Sequence, residues 1–440
     1  MVSTQEIIRK DEMYSLHGAC YRPVVFVEAK GCILKDSDNK EYIDGLAGAA
    51  GTTFIGWNRP EVFEEVKKYF EFPHAFFGHI NLPRVELATK LAKITPNNLK
   101  KSWFATGGGE ANEAAVKASI KFTGKKEVIS LYDGFHGISI GMLSLGQRRL
   151  REGFPLVPGF RQIPSPYCYR CFYGKSYPGC DFECARALET AVEYGSAFNV
   201  AAFLLEPVQG MGGHVFAPDI EYGKIIQEIC NKYEIVIMTD EIQSGFGRTG
   251  KMWASEVIGL KPDALTVGKA LGGGYPISAA IFSENIAEAF EDKDPCRWWQ
   301  PLTFSGNPIS CAAAAAVVDV ILKDNVTEKT TVVGKSWMKR LKEMQEDHSI
   351  VGDVRGPGLY LGMEIVKDKK TKKKGIEEAS KIVNQCFEKG VIFGLSHPYG
   401  LGNIIKIKPP YVISQEESTK ALDILDETIT EIEKDLKQPA

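Results

Sequence analysis

Long apolar runs are missing from this 440-residue chain. No stretch approaches the ~18 consecutive apolar residues of a membrane helix. The opening residues MVSTQEIIRKDEMY lack the apolar centre of a secretion signal. One-sided charge is missing too. Its 53 basic and 56 acidic residues give a net charge of −3, so nothing electrostatic favours nucleic acid. Histidine is scarce, at seven residues. His74 and His79 have no carboxylate at metal-ligand spacing and read as structural. The expectation is a cytoplasmic protein with no membrane and no nucleic-acid partner. A hydrophobic share of 44% and a charged share of 25% are ordinary for a globular protein. The length leaves room for two or three domains.

Cysteine is less scarce, at ten residues. Four of them, Cys168, Cys171, Cys180 and Cys184, cluster in a loop-rich segment. Without an export signal, disulfides are not expected. The C-x2-C start is compatible with zinc, but the overall spacing matches no common zinc ribbon. The expected metal set is none, and the cluster reads as thiols of an insertion at about 160–185.

The chain is organised around residues 236–276, VIMTDEIQSGFGRTG followed by VGKALGGGYP. Asp240 ends a β-branched run read as a buried strand over 233–238, and ligands of open α/β sheets sit beyond such strand ends. A carboxylate there can keep a pyridine nitrogen protonated and its ring electron-poor. Lys269, in an apolar, glycine-rich setting, is placed to form a Schiff base with an aldehyde. Both features suit pyridoxal phosphate (PLP). Upstream, WFATGGGEANEAA reads as a strand, a glycine turn and a helix beginning at Glu110 or just before. That arrangement cups an anion on backbone N–H groups.

These segments together resemble the class III aminotransferases, members of the aspartate-aminotransferase-like PLP fold. The resemblance runs through DEIQSGFGRTG, KALGGGYP, GGGEANEAA, YDGFHGISIG, EPVQGMGG and LTFSGNPISCAA. It implies an α/β fold: a large domain with a mostly parallel sheet wrapped by helices, over 61–330. A small α+β lobe would come from 1–60 and 331–440. It also implies roles. Lys269 and Asp240 are the catalytic pair. Gly108 and Gly109 hold the phosphate, with Gly109 where the family carries a hydroxyl. Phe135 and Ile242 sandwich the ring, His136 and Glu206 stand beside it, and Gln243 bonds its hydroxyl. Thr303 reaches the phosphate in the partner subunit, which requires a homodimer or a dimer of dimers. Trp57 replaces the family's usual histidine and is the candidate substrate gate. Lys406 stands where many relatives have the carboxylate-gripping arginine and offers a point charge in place of a fork. The aromatic segment 73–82 forms the mouth.

The implied reaction is ping-pong amino transfer from an ω-amine or ω-amino acid, of the taurine or β-alanine type, to a 2-oxo acid such as pyruvate. Amino-acid racemases or epimerases, phospho-lyases and dialkylglycine decarboxylase share the motifs and are the alternatives. Ala49 and Ala50, where the decarboxylase has an active-site glutamine, weigh against decarboxylation.

Overall fold

The computed structural model describes residues 3–17, 22–74, 79–96, 98–147, 151–291, 303–396 and 402–437. A seven-stranded sheet organises the middle of the chain. Its strands are β1 (Leu99–Ala105), β2 (Glu127–Leu131), β3 (Phe160–Ile163), β4 (Val200–Leu205), β5 (Val236–Asp240), β6 (Ala264–Val267) and β7 (Ser278–Ser283), in the order β1-β7-β6-β5-β4-β2-β3. The pairs from β6 through to β3 are parallel, and β7 runs antiparallel to both neighbours.

β4 (VAAFLL) and β5 (VIMTD) are buried at every residue. Continuous apolar runs of this kind are what a sheet covered on both faces requires. The expected strand over 233–238 starts later: Tyr233 caps the helix Glu221–Lys232, and Glu234 turns at φ +50°. Helix Gly108–Thr123 buries Ala111, Asn112, Ala114, Ala115, Ala118 and Ser119. Small side chains let its axis lie close to the sheet. The apolar run 311–318 lies in the buried helix Pro308–Lys323, capped by the Asn307 side chain on Ser310 N at 3.1 Å.

The two ends of the chain meet. Strands Phe26–Lys30, Ile33–Asp36 and Glu41–Asp44 form an antiparallel meander, and Val391–Ile392 adds parallel to Glu41–Asp44. A second sheet pairs Val351–Arg355, Leu361–Asp368, Ile404–Ile407 and Gly394–Leu395. The basic run 367–374 closes a hairpin in which Lys373–Lys374 pairs back onto Leu361–Asp368.

Candidate active site

Three adjacent parallel strands deliver the chemistry. Thr239 pairs with Leu205 and Asp240 with Thr266. Glu206 after β4, Asp240 at the end of β5 and Lys269 just past β6 therefore leave the sheet side by side, at the strand ends where α/β proteins bind ligands. The loop after β2 adds Phe135 and His136, and the start of helix Gly108–Thr123 adds Gly108 and Gly109. All of these, with Ile242 and Gln243, line one cavity of ≈ 340 Å³.

Asp240 is buried and held on both oxygens. Oδ2 accepts from Asn112 Nδ2 at 2.8 Å and lies 2.9 Å from His136 Nδ1, while Oδ1 accepts from Ile242 N at 3.1 Å. Asn112 is itself fixed: Nδ2 also donates to the His136 carbonyl at 2.8 Å, and Oδ1 accepts from Thr266 Oγ1 at 2.7 Å. Hydrogen bonds to a charged group are worth about 1.5–3 kcal/mol each, so the carboxylate is oriented before any ligand arrives. Glu206 accepts from Phe135 N at 2.9 Å and Gly210 N at 2.8 Å. Its oxygens tie two loops together. Burial raises its pKa, with His136 opposing and Asp240 reinforcing the rise.

Lys269 opens a 3₁₀ turn, Lys269–Gly272, at φ +35°. A non-glycine residue in such a region costs about 1–3 kcal/mol and persists where the surroundings enforce it. Desolvation lowers the pKa of its ammonium, against the pull of Asp240 and Glu206. The result is a lysine moved toward its neutral, nucleophilic form.

The glycine cup is arranged by Glu110. Its Oε2 accepts from Thr106 N at 3.0 Å, Gly107 N at 2.9 Å and Thr106 Oγ1 at 2.7 Å. The next two amides, of Gly108 and Gly109, begin the helix and have no intrahelical partner by position, which suits an anion. A Cβ on Gly108 would come 2.7 Å from Ile242 Cδ1, and one on Gly109 3.3 Å from Gly137 Cα. These residues fit PLP. An amine, a fixed carboxylate and an anion-binding helix end share one cavity, and the buried Nε2 of His136 is left without a hydrogen-bond partner.

Several supporting residues were not legible in advance. Glu241 is buried and clamps the loop that carries Ile242 and Gln243. Its carboxylate accepts from Ser244 Oγ at 2.8 Å, Ala254 N at 3.0 Å and Ser255 N at 2.7 Å, and burial pushes its pKa up to about 7. Arg248 is fully buried. It donates to the Pro409 carbonyl at 2.8 Å and the Lys408 carbonyl at 3.1 Å, and lies 3.9 Å from the centroid of the Phe54 ring. Burial pulls its pKa down to about 9, still charged at neutral pH. Lys408 Nζ donates to Gln243 Oε1 at 2.6 Å. The signals were weak: an asparagine inside a helix, and lysines at alternate positions of the apolar strand segment IIKIK.

Three expected residues stand away from this cavity. Trp57 donates through Nε1 to Asp44 Oδ2 at 2.7 Å and is not part of the cavity wall described above. Lys406 is buried, with Nζ 3.1 Å from Met211 Sδ. Thr303 is exposed. Of the aromatic mouth, residues 75–78 lie outside the described residues.

The four clustered cysteines line one small pocket with Tyr167, Phe172 and Tyr173. Burial, with the neighbouring thiols, pushes Cys184 up to about 12. Among the described residues no group of three or more His, Cys, Asp or Glu is arranged to hold a metal ion. The insertion is anchored on the C-terminal sheet. Tyr167 bonds Glu364, and Arg170 Nε and Arg355 Nη1 reach the same carboxylate at 2.5 and 2.9 Å. Among the described residues no helix is long and apolar enough to cross a membrane.

Comparison with known proteins agrees with this geometry. The family described as aminotransferase class-III matches residues 16–429. The chain is similar to the leucine/methionine racemase of Thermococcus litoralis, with 35% identity over 94% of this chain and 92% of that one. It is also similar to the acetylornithine aminotransferase of Methanothermobacter thermautotrophicus, with 34% identity over 98% and 100%. Among solved structures, a Bacillus anthracis aminotransferase superposes with a TM-score of 0.90, 31% identity and coverage of 97% and 98%. A thermostable 6-fold mutant of an omega transaminase from Pseudomonas jessenii superposes with a TM-score of 0.90, 26% identity and coverage of 97% and 98%. With the sheet order, the paired Asp240 and Lys269 and the glycine cup in place, the chain belongs to the class III aminotransferases, PLP-dependent transaminases of the aspartate-aminotransferase-like fold.

Proposed function

We propose that this transaminase takes its amino group from an ω-amine or ω-amino acid, of the taurine or β-alanine type, and passes it to a 2-oxo acid, pyruvate first, by alternating half-reactions. The observation that carries the reading is the one cavity whose wall holds both Lys269 and Asp240. When bound, PLP supplies an electron sink for the bonds at the nitrogen-bearing carbon. Lys269 takes the proton from that carbon and later returns one, as base and then acid. Asp240 keeps the ring nitrogen protonated. Gly108 and Gly109 hold the phosphate, Phe135 and Ile242 pack on the ring faces with His136 and Glu206 beside them, and Gln243 bonds the ring hydroxyl.

Donor choice rests on charge. Lys406 and Lys408 lie on one face of their strand segment, and Lys406 and Arg248 both bear on Lys408 electrostatically. A carboxylate or sulfonate at the far end of the donor suits that field. Trp57 serves as the gate. The exposed Thr303 of one protomer completes the phosphate site of its partner, in a homodimer or a dimer of dimers. The same reading assigns a large cofactor-binding part to 61–330 and a small lobe to 1–60 and 331–440. The pairing of Val391–Ile392 with Glu41–Asp44 supports that division.

The test is a donor panel with pyruvate and with 2-oxoglutarate, scored as alanine or glutamate formed. ω-Amino donors should exceed α-amino acids, and Lys269→Ala should lower turnover by roughly 10²–10⁴-fold. Equal turnover by Lys269→Ala, or borohydride reduction that leaves Lys269 unlabelled, refutes the assignment. A second reading, racemisation or epimerisation of an α-amino acid, is favoured by the similarity to the leucine/methionine racemase and to the isoleucine 2-epimerase of Lentilactobacillus buchneri, the latter at 34% identity. It predicts continuous turnover of one enantiomer with no 2-oxo acid added.

A further inference from the structure

The least expected charge in the molecule is Lys408. Its side chain is wholly buried, at 0% exposure, yet it has no carboxylate partner among its described hydrogen bonds and ion pairs. Unpaired lysines are rarely found at such depth. The one hydrogen bond described for its Nζ goes to Gln243 Oε1 at 2.6 Å, and the Tyr360 ring lies 5.4 Å away. The same amide oxygen is confined from another side. A Cβ on Gly210 would lie 2.5 Å from Gln243 Oε1 and 2.6 Å from the Tyr360 hydroxyl. The oxygen end of the amide is therefore wedged among Lys408, Tyr360 and Gly210. Gln243 also lines the cavity, so its amide nitrogen is the end left to face the cavity.

We propose that Lys408 is a positioning residue: it pins Gln243 Oε1 so that the amide N–H₂ is presented to the ring hydroxyl oxygen of bound PLP, stabilising that oxygen as an anion. This rests on the PLP placement given under Proposed function. Either protonation state of the lysine has hydrogens to donate. Desolvation lowers its pKa, Lys406, Arg248 and Lys269 lower it further, and Glu206 opposes them. Without Lys408 the amide is free to turn its oxygen toward the ring oxygen, which repels the anion.

The readout is the pH titration of cofactor absorbance in the holoenzyme without substrate. Lys408→Met keeps the length and removes the donor, and replacing a buried charge with an apolar side chain of similar volume is commonly tolerated. Its midpoint should rise by roughly one pH unit, a tenfold change in proton affinity. Gly210→Ala, which displaces the same oxygen without touching Lys408, should shift the midpoint in the same direction and serves if Lys408→Met does not fold. In a Gln243→Ala background the additional shift from Lys408→Met should vanish, because the effect passes through the amide. Gly210→Ala should likewise add nothing in that background. A shift that persists there overturns the proposal in favour of a direct field effect. A shift with Gln243→Ala but none with either Lys408→Met or Gly210→Ala also overturns it, and leaves the cofactor placement standing. No shift even with Gln243→Ala removes the ring-hydroxyl contact, and the proposal with it. A purified protein that gains no cofactor absorbance with added PLP removes the placement itself.

Discussion

Replacing Glu241 with glutamine should flatten the decline in stability between mildly acidic and mildly alkaline pH. The parent carboxyl is buried and its pKa is raised from an ordinary 4.5 to about 7. The folded protein thus holds a proton that the unfolded chain has already released. A group with a raised folded pKa contributes stability that is complete below its unfolded pKa and is lost as pH rises through the folded one. Here the window runs from 4.5 to about 7. At about 1.4 kcal/mol per pH unit the loss is roughly 3 kcal/mol. Three donors, Ser244 Oγ, Ala254 N and Ser255 N, already favour the ionised form. Without them the shift caused by burial would be larger. The measurement is urea unfolding of the holoenzyme at about pH 5 and about pH 8, parent against Glu241→Gln. Glutamine lowers stability at both values, because its N–H₂ end must meet a backbone donor. What decides the matter is the slope: the parent should lose about 2–3 kcal/mol more than the variant across the interval. Parallel profiles would refute the reasoning and return Glu241 to the ordinary carboxylates.

Other outcomes follow from the same geometry. Gly108→Ala restricts the unfolded chain, a gain of about 0.4–1 kcal/mol, but sets a methyl 2.7 Å from Ile242 Cδ1. The flexible end of Ile242 should swing into the cavity, so unfolding should barely change while PLP retention on dialysis weakens about tenfold. Asp240→Asn removes the charge that Asn112 and His136 align. Turnover should fall roughly a hundredfold, about 3 kcal/mol, with the fold retained by circular dichroism. Arg248→Met strands the Lys408 and Pro409 carbonyls and leaves the Phe54 face without its cation. A loss of about 3–5 kcal/mol in chemical denaturation is expected.

Much of the fold and part of the site could be read from the chain, and the division has a physical reason. Asp240 and Lys269 lie next to apolar strands, so local pattern placed them at the ends of β5 and β6. Asn112 and Lys408 gain their roles from partners far along the chain: Asp240 is 128 positions from Asn112, and Gln243 is 165 from Lys408. No local pattern encodes such pairings. The helix Thr4–Tyr14 escaped because it buries no residue, so packing left no periodic mark on it. The antiparallel sense of β7 was equally invisible, since strand direction is set by the connection and not by the residues within.

The clasp of Arg248 on the Lys408 and Pro409 carbonyls has a consequence for biosynthesis. A nascent chain that has emerged as far as residue 277 already carries the whole cavity wall described above. It lacks the carbonyls that receive Arg248 and the lysine that holds Gln243. The ribosome must deliver some 130 further residues, counted from 277 to 408, before the loop over the ring site gains its anchor. Vectorial synthesis therefore delivers the cavity wall well before the contacts that anchor it.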